Sequence, residues 1–160
     1  MGCKLKEKEN MRFWRFLKTD ELDQKRFKKI VKEVEKKIDC TKCGNCCKEM
    51  SPVLTLEDIE RISKKLKISK GDFLKKYTER NEDKDIVFKL PCPFLQNNKC
   101  SIYEIRPKEC KEFPHLDKDI SFRCHQFFSN AEICPIVFNV LENAKEEFLE
   151  DIYDFENPEV

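Results

Sequence analysis

Four cysteines within eight residues constrain this chain more than any other stretch. They follow the spacing C-x2-C-x2-C-C, at Cys40, Cys43, Cys46 and Cys47. Gaps of two residues allow consecutive thiolates to turn toward one metal ion or cluster. Gly44 tolerates the left-handed backbone that such a knuckle often needs. We therefore interpret residues 40–47, called the cysteine knuckle below, as the nucleus of a metal site.

The other cysteines extend this site. The chain has ten cysteines in 160 residues and no export signal at its N-terminus, so we expect a cytoplasmic location. Disulfides are rare in that compartment, which favours metal ligation. Cys46 and Cys47 are adjacent and project differently, so they serve two sites or two atoms of one cluster. The predicted ligands are Cys40, Cys43, Cys46, Cys47, Cys92, Cys100, Cys110 and Cys134.

Eight thiolates would satisfy two four-thiolate sites, and one site with spare thiols is equally compatible with the spacing. All-thiolate ligation selects zinc or an iron–sulfur cluster among the common metals. The spacing C-x2-C-x2-C opens bacterial ferredoxin motifs, and Cys92 and Cys134 precede prolines, which favours iron–sulfur. Zinc knuckles also use C-x2-C, so a closed structural zinc site stays open.

The remaining cysteines and the histidines are weaker candidates. Cys3 is expected to be a free thiol on a loose terminus. Cys124 and His125 are adjacent and form a reserve ligand pair, although Cys124 is equally compatible with a buried inert thiol. His115 and His125 are expected at the surface or at a helix cap. Arg106 is expected either in a salt bridge or near the thiolates as a neutralising charge.

Apolar spacing predicts a mainly helical α+β fold, a small metal-stapled domain with a short β-hairpin between amphipathic helices. A basic, aromatic N-terminal segment over 1–20 precedes a single cysteine-cluster domain over 21–156. The aromatic residues of the segment are expected to pack on the core. Flanking helices over 21–38 and 134–155 are expected to bracket the cysteines, with Thr19 or Asp20 as the first cap.

Between the flanking helices, Thr55 to Asp58 reads as a capping box and Ser69 starts a further helix. Alternating apolar residues predict a strand over 85–90, and the turn at Asn97-Asn98 predicts a partner strand over 99–103. Pro135 suits the first position of the last helix. Its predicted buried stripe includes Val137, Val140, Leu141, Ala144, Phe148, Leu149, Ile152 and Phe155.

Charge and hydropathy exclude several classes of function. Charged residues make up 39% of the chain, but the net charge is only +1 because basic and acidic residues alternate. Nucleic-acid binding is therefore not expected. There is no apolar run of about 18 residues, so no membrane span is expected. Nucleotide-binding loops and zinc-protease or serine-hydrolase motifs are absent from the sequence.

The combined cysteine motifs resemble the YkgJ-like CxxCxxCC family of zinc- or iron-chelating proteins. The resemblance covers roughly residues 38–138. It rests on the knuckle, on Pro91-Cys92-Pro93-Phe94-Leu95, on residues 100–107, and on Cys110 with Phe113-Pro114. The resemblance implies that the family's cysteines correspond to the eight predicted ligands of this chain. Among them, Cys134 corresponds to the late cysteine of the family. Flagellin lysine methylases carry a similar motif in a longer chain.

Three functions follow as hypotheses. The first is an iron–sulfur protein in electron transfer or protein modification. The second is a zinc-stapled interaction module without catalysis. The third, implied by the resemblance, is a protein-modifying enzyme related to flagellin lysine methylases. Each of them leaves the protein partner or substrate unknown.

Overall fold

The structure, a computed structural model, describes residues 6–19, 21–39 and 42–158. Its helices in chain order are α1 (Glu7–Leu17), α2 (Gln24–Lys37), α3 (Cys46–Glu49), α4 (Leu56–Leu66), α5 (Lys70–Tyr77), α6 (Lys108–Glu112), α7 (Cys124–Ile133), α8 (Pro135–Glu147) and α9 (Leu149–Glu156). Its strands are β1 (Thr78–Arg80), β2 (Ile86–Phe88), β3 (Leu95–Gln96) and β4 (Lys99–Cys100). A 3-10 turn spans Tyr103–Ile105. The mainly helical α+β prediction is confirmed.

The chain divides into two compact units. The terminal unit contains the chain up to Asp39 and from Pro114 onward, and the cysteine-rich unit contains the chain between them. The single domain expected over 21–156 stays a prediction. No helix in the described ranges has the length and apolar character needed to cross a membrane.

The terminal unit is a helical bundle built on aromatic residues. Phe13, Phe16 and Leu17 recur at spacings of three and one on α1 and are fully buried. The prediction that this aromatic run packs on a core is therefore confirmed. The Phe16 ring packs on that of Phe148, with centroids 5.9 Å apart. The guanidinium of Arg26 lies 4.4 Å from the Phe148 ring centre, which ties α2 to the end of α8.

Two boundaries of the flanking helices were predicted wrongly. The first flanking helix begins at Gln24, and Asp23 caps it by accepting hydrogen bonds from two backbone N–H groups. Thr19 instead accepts from the N–H of Glu21, while Asp20 lies outside the described residues. The helix expected over 134–155 breaks at Phe148 into α8 and α9, which leaves Leu149 58% exposed.

The cysteine-rich unit has its own apolar core between α4, α5 and the strands. The capping box predicted at Thr55 is present, and Ser69 caps α5. The core residues are Leu54, Ile59, Ile62, Phe73, Phe88, Phe94 and Ile102.

The predicted strand pairing was wrong. The strand expected over 85–90 forms as β2 but pairs antiparallel with β1, where Thr78 faces Phe88. The partner expected over 99–103 is shorter, and pairs as β4 with β3 across the turn at Asn97-Asn98. Two small hairpins therefore replace the single hairpin. The sequence of β1 is polar and carries no strand signal of its own. Of its three residues only Thr78 is buried, so the apolar alternation typical of a strand is absent.

Candidate metal centre

The described part of the cysteine knuckle, residues 42–47, turns sharply at Gly44 and then enters a short helix. Gly44 has a left-handed φ of +62° and is buried. Cys46 and Cys47 occupy the first turn of α3. A Cβ at position 44 would lie 3.0 Å from the carbonyl oxygen of Asn98. The knuckle is thus held against the turn between β3 and β4, where Asn97 and Asn98 also have left-handed φ values of 50° and 61°.

The segment that begins at Cys92 is hydrogen-bonded to the knuckle through its backbone. The N–H of Cys92 donates to the carbonyl of Cys47, with a nitrogen–oxygen distance of 2.8 Å. Cys100 ends the β3–β4 hairpin opposite Leu95. Cys110 lies in the middle of α6. The thiols of the cysteine-rich unit therefore come from three segments of the chain. These are the knuckle, the stretch from Cys92 to Cys100, and the helix α6 with Cys110.

The thiols of Cys46, Cys47 and Cys92 lie close enough to shift one another's pKa. Hydrogen bonding with Cys47, followed by burial, raises the pKa of Cys46. Hydrogen bonding with Cys46 lowers the pKa of Cys47, but hydrogen bonding with Cys92, burial and nearby thiols outweigh this and raise it to about 11. Hydrogen bonding with Cys47 lowers the pKa of Cys92, so of these three thiols Cys92 ionises most readily.

Cys100 and Cys110 belong to the same electrostatic group. Burial, followed by repulsion from Cys47, Cys100 and Cys46, raises the pKa of Cys110 to about 12. Burial also raises the pKa of Cys100, although the Ile102 N–H and the Arg106 charge oppose it. Five thiols that interact with one another therefore gather here: Cys46, Cys47, Cys92, Cys100 and Cys110. Negative charges placed on all of them would repel strongly, which a metal cation relieves.

The donor set fits zinc or iron. These thiols are free, and none of them is fully exposed. Sulfur ligation of this kind selects zinc or iron–sulfur clusters. Within residues 6–19, 21–39 and 42–158, no three or more His, Cys, Asp or Glu side chains are already placed so that they could hold a metal ion. The fit therefore rests on the donor chemistry and the backbone contacts. Cys43 is half-buried beside Gly44, and Cys40 lies outside the described residues.

Cys134 lies in the terminal unit, unlike the other predicted ligands in the described ranges. It precedes Pro135, which takes the first position of α8 as predicted, and its N–H donates to the carbonyl of Asn130 at 2.8 Å. Its place in the ligand set stays a prediction. Cys124 is 1% exposed on α7, and its neighbour His125 is exposed with its ring edge on Trp14. His115 is buried, contrary to the surface or cap position expected for it.

Arg106 and Tyr103 pair with each other. The Arg106 guanidinium lies 3.8 Å from the Tyr103 ring centre and donates to the Tyr103 carbonyl at 2.7 Å. Tyr103 is 43% exposed. The Arg106 charge opposes the rise that burial causes in the pKa of Cys100.

Sequence reasoning missed a buried carboxylate that joins α4 to the segment carrying Cys110. Asp58 is 1% exposed and accepts hydrogen bonds from Thr55, Arg61 and the N–H of Lys108. Burial alone would raise its pKa, but Arg61 and the N–H donors outweigh burial and lower it. The capping box signalled Asp58 as a cap. Its bond to Lys108, fifty residues away, has no local signal.

Comparison with known proteins agrees with the resemblance in the cysteine motifs. A family model named CxxCxxCC and described as a "putative zinc- or iron-chelating domain" matches residues 39–135. Among curated proteins, the uncharacterized protein MJ0661 of Methanocaldococcus jannaschii is 36% identical over 83 residues. That match covers 48% of this chain and 43% of the relative, so the chain spans less than half of the relative's length. No solved structure matches the chain significantly. The family model spans more than half of the sequence, and the chain therefore belongs to the CxxCxxCC family of zinc- or iron-chelating domains.

Proposed function

We propose that the cysteine-rich unit holds an iron–sulfur cluster, or a centre of more than one metal atom, through the thiolates of the knuckle and of Cys92, Cys100 and Cys110. The observation that carries the proposal is the number of interacting thiols. Cys46 and Cys47 both interact with Cys100 and Cys110, so the group exceeds the four thiolates that a single tetrahedral zinc ion takes. A cluster distributes such ligands over several metal atoms.

The protein would hold and shield the cluster. Cys92 ionises most readily and therefore offers the first thiolate, while Cys46 and Cys47 must each lose a proton as they bind. The half-buried position of these thiols keeps bulk water away from part of the centre. A bound iron–sulfur cluster supplies one-electron transfer. The proposed role is electron transfer to, or modification of, a protein partner that is not identified.

Anaerobic purification followed by absorption spectroscopy and metal analysis tests this proposal. Broad absorbance near about 400 nm, with iron and acid-labile sulfide in stoichiometric amounts, is the expected result because thiolate-to-iron charge transfer produces it. A colourless protein with stoichiometric zinc and no sulfide would overturn the iron–sulfur assignment.

The second candidate is a structural zinc site in a non-catalytic interaction module. Its supporting observation is that the backbone bond from Cys92 to Cys47 and the contact of Gly44 with Asn98 staple separate segments beside a small apolar core. A closed zinc site stabilises small cores of this kind. Chelation with a strong zinc ligand would then unfold the unit without any change in visible absorbance. Retained folding after complete zinc removal would contradict this candidate.

A further inference from the structure

The segment between Cys100 and Cys110 is fixed by a polar network that contains no cysteine. The Arg61 guanidinium donates to the Asp58 carboxylate at 2.6 Å. The same nitrogen donates to the carbonyls of Ile105 at 3.3 Å and Arg106 at 3.0 Å. The Asp58 oxygen that accepts from Arg61 also accepts from the N–H of Lys108 at 3.1 Å. Of the four consecutive residues 105–108, three are therefore tied to α4.

The contact with Lys108 acts on the helix that carries Cys110. Lys108 is the first residue of α6, so its N–H has no partner within that helix. The Asp58 carboxylate supplies the missing acceptor and places a negative charge at the N-terminal end of α6. Cys110 lies two residues further along. The position and orientation of its thiol thus depend on a side chain from another helix.

A second contact holds the same helix. The carboxylate of Glu109 accepts a hydrogen bond from the N–H of Val53, next to the bridge that Val53 makes with Val87. Glu109 immediately precedes Cys110. Asp58 is nevertheless the central residue of these contacts. It is 1% exposed, and its carboxylate accepts backbone hydrogen bonds at the N-terminal ends of both α4 and α6.

We propose that Asp58 is a positioning residue of the metal centre, which fixes the Cys110 thiol by holding the N–H of Lys108 and by orienting Arg61 onto the chain between Cys100 and Cys110. This inference rests on the proposed thiolate site. Partners that orient metal ligands typically contribute about tenfold to 100-fold to metal affinity. Loss of the Asp58 contact is expected to weaken metal binding while every thiol remains in place.

Lys108→Pro tests the contact without touching the buried carboxylate. Proline lacks the N–H that Asp58 accepts, and it is favoured at the first position of a helix. The preceding Pro107 has φ −52° and ψ 155°, which a following proline permits. Lys108→Ala is the matched control because it removes the same side chain, with its ion pair to Glu112, and keeps the N–H.

The metal-free full chain would be titrated with cobalt(II) and with zinc, following affinity and the d–d absorption of bound cobalt. We expect Lys108→Pro to bind about tenfold more weakly than Lys108→Ala, with an altered cobalt spectrum that reports changed ligand geometry. Equal affinities and identical spectra would overturn the role of Asp58. If the wild-type chain takes up neither metal, thiolate chelation itself fails, and this inference fails with it.

Asp58→Asn provides a second comparison. Its control is Asp72→Asn, since Asp72 makes a similar bond with the cap Ser69 on α5 and has no recorded contact with the segment before Cys110 in the described chain. We expect weaker cobalt binding only for Asp58→Asn. An equal loss of affinity in both variants would assign the effect to helix capping and overturn the proposal.

Discussion

Gly44 lies directly against the backbone of Asn98, so close that any side chain at position 44 would meet the Asn98 carbonyl oxygen at 3.0 Å. This contact joins the cysteine knuckle to the turn between β3 and β4. It therefore holds the segment with Cys43 and Cys46 beside the hairpin that ends at Cys100. The left-handed φ of Gly44 independently disfavours any other residue there.

Gly44→Ala is expected to destabilise the cysteine-rich unit by about 1–3 kcal/mol, because it adds both backbone strain and a contact with backbone that cannot move aside. Gly71→Ala is the control. Gly71 lies in α5, and a Cβ there would meet only the Ser69 hydroxyl at 3.8 Å, so about 0.5–1 kcal/mol of stabilisation is expected. Chemical denaturation of the metal-free proteins measures both values. Effects of the same sign would contradict the account.

Cys134→Ser and Cys124→Ser form a matched pair for the ligand set. Both cysteines are buried in the terminal unit, at 8% and 1% exposure. Because Cys134 is the predicted ligand, its loss is expected to lower metal content, while Cys124→Ser keeps the wild-type metal content. Metal analysis of the purified variants decides. Unchanged metal in Cys134→Ser would remove Cys134 from the set, and loss in Cys124→Ser would promote the reserve pair.

The metal-free protein is expected to lose stability at alkaline pH. Hydrogen bonding with Cys92 and burial raise the pKa of Cys47 to about 11, and burial with repulsion from nearby thiols raises that of Cys110 to about 12, above the ordinary thiol value of 9.0. These neutral thiols contribute their full stability below about pH 9, where unfolded thiols are also protonated. The contribution is lost as pH rises from there through 11 and 12. Denaturation midpoints between pH 8 and pH 11 measure the decline, and a flat profile would contradict it.

Cys92 is expected to be alkylated faster than Cys110 in the metal-free protein at neutral pH. Hydrogen bonding with Cys47 lowers the pKa of Cys92, whereas burial raises that of Cys110, and the thiolate is the reactive form. Both side chains are half-buried, so access differs less than ionisation. Peptide mapping after brief iodoacetamide treatment should show that Cys92 is labelled about tenfold faster than Cys110, or more. A pKa difference of one between two thiols changes the ratio of their thiolate populations about tenfold. Faster labelling of Cys110 would contradict the lowered pKa of Cys92 and the raised pKa of Cys110.

Local signals predicted much of this fold. Thr55 with an acid three residues later specified the start of α4, and Pro135 specified the start of α8, because caps depend on neighbours in sequence. The spacing of Phe13, Phe16 and Leu17 also carried a helix signal, which the aromatic run obscured. Contacts between distant segments left no such signal. The pairing of β1 with β2, which places Thr78 opposite Phe88, is one such contact.

The sequence predicted which residues belong to the candidate site, but it predicted little about how their side chains are arranged. Spacing singled out Cys46 and Cys47, because two-residue gaps suit metal ligands. The interaction of Cys47 with Cys92 depends on side-chain geometry that spacing does not encode. Asp58 was visible only as a cap, since its bond to Lys108 spans fifty residues.

The native mass of the anaerobically purified chain tests the central claim most directly, with Cys47→Ser measured beside it. We predict a wild-type mass above that of the polypeptide by the mass of iron and sulfide together, and loss of that increment in Cys47→Ser because Cys47 links the knuckle to Cys92. A wild-type chain at the mass of the bare polypeptide, or an increment that Cys47→Ser retains in full, would contradict the claim that these thiols hold a metal centre.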